Sequence, residues 1–162
     1  MTTRTLVLLR HAKAERPEGY AKDIDRPLSA RGRADAAAAG RWLEANDLVP
    51  DQALCSPSVR TRQTWQHTAL AAEIFVAYEQ SLYFGGAAEA IELIQETAVT
   101  VSTLLVIGHN PTMSIVSARL DPHGVTGDGL RTAGLAVHRF EGAWSDLEPG
   151  KAPRTAEHTA RG

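Results

Sequence analysis

Short apolar runs alternate along the chain with longer amphipathic stretches, and polar turns separate them. Residues 5–9 (TLVLL) are continuously apolar, the pattern of a strand covered on both faces. The run stops at Arg10-His11, and residues 12–27 read as a polar loop with Pro17, Gly19 and Pro27. Ser29 predicts an N-cap and residues 30–46 a helix, with Ala36, Ala39 and Leu43 on one side. A short strand at 52–55 runs into Ser56-Pro57, a cap followed by a first-turn proline, which predicts a helix to about residue 72. Residues 73–78 predict a strand, 87–96 a helix with Ile91 and Ile94 inward, and 103–107 (TLLVI) a second buried strand. Asn110-Pro111 predicts the start of a helix to about residue 120. After a Gly-rich loop at 121–129, residues 134–140 alternate as a last strand, expected at an edge. From Glu148 onward bulky apolar residues are absent, so 148–162 predict a disordered tail beyond a single domain of residues 1–147. Strands and helices alternate throughout. The expected class is α/β: a three-layer sandwich with a mostly parallel sheet and helices on both faces.

Composition narrows the function. The 162 residues carry 17 basic and 19 acidic side chains, a formal charge of −2, which argues against a nucleic-acid or anionic-membrane partner. A single cysteine, Cys55, permits neither an internal disulfide nor a cysteine-based zinc site and points to a reducing, cytoplasmic compartment. Neither a targeting segment nor a run of about 18 apolar residues is visible.

Three polar clusters each sit where an apolar strand stops: Arg10-His11, Ser56-Pro57-Ser58-Val59-Arg60, and Gly108-His109-Asn110-Pro111. In an open parallel sheet the strand C-termini share one edge, and ligands bind there. Arg10, His11, Arg60 and His109 can therefore converge. Two guanidiniums and two imidazoles at such an edge, with a helix start beside Arg60, make an anion site better matched to phosphate than to carboxylate. Cys55 lies on the strand side of Ser56, and no aspartate follows the first strand, so one imidazole is the expected nucleophile. His11, at the end of the central strand, is the best placed.

Leu9-Arg10-His11-Ala12-Lys13 resembles the signature of the histidine phosphatase superfamily. Asp25-Arg26-Pro27-Leu28-Ser29, Arg31-Gly32, Ser56-Pro57-Ser58-Val59-Arg60-Thr61-Arg62-Gln63-Thr64 and Gly108-His109-Asn110 match the surrounding pattern. The resemblance covers about residues 4–140. Its short length, Ala12 and the DRPL segment are most similar to the SixA-like phosphohistidine phosphatase branch. It implies a phosphoglycerate-mutase-like fold, a phosphohistidine intermediate on His11, and Arg10, Arg60 and His109 as a phosphate-binding clamp, with no metal and no cofactor. The implied substrate is protein phosphohistidine. The rival readings are a small-molecule phosphomonoesterase and a noncatalytic phosphate-recognition module. One departure stands out: where many members carry an acidic proton donor, this chain reads Glu79-Gln80-Ser81-Leu82-Tyr83, with Leu82 at the aligned position. A phosphoramidate leaves with less help than an alkoxide, so the departure favours phosphohistidine.

The remaining histidines, His67, His123, His138 and His158, read as structural or solvated. Lys13, Arg26 and Asn110 lie beside the signature residues, where they either hold substrate or anchor their own loops.

Overall fold

A computed structural model describes residues 2–124 and 129–162. Six strands form one sheet in the order β3-β2-β4-β1-β5-β6. These are β1 (Thr3–Arg10), β2 (Gln52–Cys55), β3 (Phe75–Tyr78), β4 (Thr103–Gly108), β5 (Gly134–Glu141) and β6 (Arg154–Thr159). The first four in spatial order are mutually parallel, and β5 runs antiparallel to both β1 and β6. The helices are α1 (Ala30–Ala45), α2 (Val59–Thr68), α3 (Ser81–Phe84), α4 (Ala87–Gln95) and α5 (Thr112–Leu120).

The continuous apolar runs are explained by two cores. Leu6 and Leu8 of β1, with Leu104 and Val106 of β4, pack on the side of α4 and α5 against Ala90, Ile94, Met113 and Val116. Val7, Leu9, Leu105 and Ile107 point the other way, onto Ala36, Ala39 and Leu43 of α1. A strand with a helix layer on each face needs apolar residues at every position, because successive side chains alternate between faces. The three-layer α/β sandwich is thus the fold. Ser29 caps α1 as expected, accepting from Gly32 N–H at 3.0 Å. Gly32 is required by contact: a Cβ there would collide with the Lys13 carbonyl, which docks α1 onto the loop after His11.

Three expectations need correction. Residues 148–162 are not a disordered tail: β6 pairs with β5, and Ala152 and Ala160 are buried. Small residues hide this strand from a search for bulky apolar runs. Its pairing supplies backbone hydrogen bonds instead, and Asp35 accepts from both Arg161 and Gly162 N–H. Consequently β5 is an interior strand, not an edge. Finally, α2 is capped by Ser58, whose hydroxyl accepts from Thr61 N–H, and it ends at Thr68, where Ala69 turns into the left-handed region. Ser56 is released for another partner. Among the described residues no helix is long and apolar enough to cross a membrane.

Candidate active site

The strand register levels the three polar clusters. Arg10 pairs with Gly108, and Ile107 is opposite both Leu9 and Cys55, so Arg10-His11, Ser56 and His109 emerge at one height from three adjacent strands. The backbone ladder continues past the strand ends: His11 N–H donates to Gly108 O and Ser56 N–H to Ile107 O, each at 3.0 Å. A cavity of about 560 Å³ opens there. It is lined by the four expected residues, Arg10, His11, Arg60 and His109, and also by Asp23 and Tyr83. Lys13, Arg26 and Asn110 complete much of its rim.

His11 Nδ1 lies 2.7 Å from the Ala12 carbonyl, which can only accept. Nδ1 therefore carries the proton and Nε2 keeps a free lone pair. Burial lowers the ring's pKa to about 3 against the Ala12 hydrogen bond, and the nearby His109, Arg60 and Arg10 charges reinforce that lowering. His11 is neutral at physiological pH. The His109 ring centroid is 5.3 Å away. Its Nδ1 faces Arg60 Nη2 at 3.3 Å, so Nδ1 accepts, and Nε2 donates to Ser56 Oγ at 2.8 Å. Burial, then the Arg60 charge, brings its pKa to about 4. Ser56 thus fixes the His109 ring, a role that the expected helix cap concealed.

Arg60 projects from the first turn of α2, and Arg62 lies over the Tyr78 ring instead, its guanidinium carbon 3.9 Å from the centroid. Arg60 is almost fully buried, and its Nη2 meets Asp23 Oδ2 at 2.9 Å. Asp23 also accepts from Tyr83 OH at 2.7 Å and Arg26 Nε at 3.0 Å. Burial acts to raise the Asp23 pKa, but the hydrogen bonds from Tyr83, Arg60 and Arg26 outweigh it and hold the carboxyl well below the usual range. Arg10 Nη1 donates to Leu130 O, and Asn110 Nδ2 donates to the same carbonyl, so Asn110 steadies the partner of Arg10. Arg26 anchors its own loop through Asp23 and Glu15 O. The Nε–H groups of Arg10 and Arg60 are both buried without a partner among the described residues, a state that costs about 1–3 kcal/mol each.

Asp23 was not legible in the sequence, being one of several acids in a polar loop, and only its distance to Arg60 distinguishes it. Glu79 lies outside the site: it lines a second cavity, with Phe75 and Leu93. Leu82 is buried, so the position aligned with the acid contributes no proton donor. His138 is structural, bonded to Ser117 Oγ and Ala152 O, and His158 stacks on Trp42. Among the described residues, no group of three or more His, Cys, Asp or Glu side chains is arranged to hold a metal ion.

Residues 6–83 match the model of the histidine phosphatase superfamily (branch 1). An uncharacterized protein of Mycobacterium tuberculosis is 40% identical over 94% of this chain and 100% of its own length. The structure of a candidate phosphohistidine phosphatase SixA from Nakamurella multipartitia superposes with a TM-score of 0.86 at 34% identity, covering 99% of this chain and 98% of that one. A second SixA candidate, from Agrobacterium tumefaciens, gives 0.73 at 30% identity over 83% and 91%. The chain belongs to the histidine phosphatase superfamily, in its SixA-like branch, and is a hydrolytic phosphatase.

Proposed function

We propose that the enzyme removes phosphate from protein phosphohistidine through a phosphorylated His11. The observation that carries this reading is the single free imidazole lone pair, on His11 Nε2, in a cavity whose two arginines hold unspent buried donors. In the first step Nε2 forms a bond to phosphorus while the bond to the leaving nitrogen breaks. In the second a water oxygen bonds phosphorus, the P–N pair returns to Nε2, and the water's proton passes to phosphate or solvent. Arg10 and Arg60 clamp the phosphoryl oxygens with charge preorganised for the transition state, and neutral His109 joins them by turning its Nε2–H from Ser56 Oγ to a phosphoryl oxygen. Two features favour phosphohistidine over a simple ester: the missing acid at Leu82, and a site at an open sheet edge that a protein surface can reach.

The test pairs wild type with His11→Ala on a phosphohistidine-carrying protein and a panel of phosphomonoesters, with a chelator present. The expected result is loss of phosphohistidine by wild type, slowed by about 10⁴-fold or more in the variant. Wild type should also trap an acid-labile, alkali-stable label. Selective ester hydrolysis would move the substrate to small phosphorylated molecules. Phosphate binding with no label and no turnover would leave a recognition module.

A further inference from the structure

Among the described residues lining the catalytic cavity, Asp23 is the sole carboxylate in company with Arg10, Lys13, Arg26 and Arg60. A phosphate site gains nothing from a carboxylate directed at the phosphoryl group itself, because the two repel. Its place must be explained otherwise. His11 follows the central strand on the cavity floor, whereas Asp23 belongs to the short helical turn Asp23–Asp25 in the loop above, with its side chain half exposed at the rim. An in-line displacement puts the leaving group opposite the nucleophile, hence on the rim side.

We propose that Asp23 is a specificity-determining residue: its carboxylate faces the leaving group, pairs with a substrate ring that carries positive charge until it departs, and disfavours an anionic leaving oxygen. This rests on the assignment of His11 as nucleophile in a phosphohistidine phosphatase. A substrate imidazole protonated on its other ring nitrogen enters as a cation. The P–N pair stays on the leaving nitrogen, so the imidazole departs neutral and keeps that proton. The positive charge reappears on the His11 ring, whose Nδ1–H remains on Ala12 O. A phosphomonoester instead leaves an anionic oxygen beside the Asp23 carboxylate, which opposes its departure, and the Tyr83 hydroxyl is already donated to Asp23. Tyr83, Arg60 and Arg26 keep Asp23 ionised, so it has a charge to offer and no proton to give. Those three donors also hold the carboxylate in place at the rim, which converts a loop acid into a fixed selector.

The experiment compares kcat/KM for N-phosphoimidazole and phenyl phosphate in wild type, Asp23→Asn and Asp23→Glu. Asp23 is on an exposed loop turn, so neither substitution removes core packing. Asparagine keeps the acceptor for Arg60 but loses the charge. The ratio of phosphoimidazole to phenyl phosphate turnover should fall by about tenfold in Asp23→Asn and recover in part in Asp23→Glu. Equal losses on both probes would overturn the proposal, since Asp23 would then only position Arg60, a role blind to the leaving group. Wild type that hydrolyses phenyl phosphate and spares phosphoimidazole would instead overturn the phosphohistidine reading, before any Asp23 variant is compared.

Discussion

In the parallel half of the sheet, β3-β2-β4-β1, all strands end on one edge, and the segments that follow β1, β2 and β4 each bring side chains to the cavity there. In the antiparallel half, β5 and β6 reach the same edge with backbone. Ala133 N–H, just before β5, donates to the carbonyls of both Arg10 and His11, and Ala160 N–H, just after β6, donates to Ala133 O. One half supplies the side chains of the candidate site, and the other holds the turn that carries His11. The difference follows from strand direction. Parallel strands converge their C-terminal residues without any special loop, whereas an antiparallel neighbour brings its N-terminal residue to that edge and offers a main-chain donor.

The sharpest way to break this division is to remove a clamp residue from the parallel half. Arg60→Ala should lower kcat/KM by about 10²–10³-fold, the usual loss for one preorganised donor to a transition-state charge. Steady-state kinetics on a phosphohistidine substrate would show it, and a loss smaller than about tenfold would mean that Arg60 serves packing rather than catalysis.

A second comparison uses acid. Unfolded histidine takes a proton near pH 6.5, while His11 in the folded protein holds off until about 3 and His109 until about 4. The unfolded chain binds more protons across that window, so stability is full above pH 6.5 and is lost as the pH falls toward 3. Urea unfolding at pH 7 and pH 5 measures the loss. His11→Asn should reduce the slope. His109 and the buried His138 of β5 remain lowered by burial, so part of the slope should persist in that variant. An unchanged slope would show that the acid sensitivity lies elsewhere.

The smallest effect is expected from the antiparallel half. Ala160→Pro deletes the donor to Ala133 O and should cost about 1–3 kcal/mol by urea denaturation. At temperatures where the variant stays folded, kcat should remain within about twofold of wild type. A much larger loss of kcat at unchanged stability would mean that the brace also sets the His11 geometry.

The fold was legible where burial is written in bulky side chains. The runs 5–9 and 103–107 became β1 and β4, and the small-residue face of α1 packs on the sheet as its spacing predicts. β6 was not legible, because RTAEHT pairs through its backbone and has no fully buried residue, with Thr155 and Glu157 exposed. The Ser56-Pro57 cap signal misled for a related reason. Either of two serines can cap a following helix locally, and a tertiary partner, His109, decides which one is free.

By itself the sequence determined the alternation of strands and helices, the placement of Arg10, His11, Arg60 and His109 at strand ends, and the family. These depend on periodicity and on motifs within a few residues of each other. Only the tertiary structure decided that Asp23 and Tyr83 join the site, that Ser56 holds His109, and that the C-terminal segment closes the sheet. Each of those is a hydrogen bond between groups far apart in the chain. Such bonds exist only at about 3 Å with aligned donors, a condition that folding sets and local sequence does not encode.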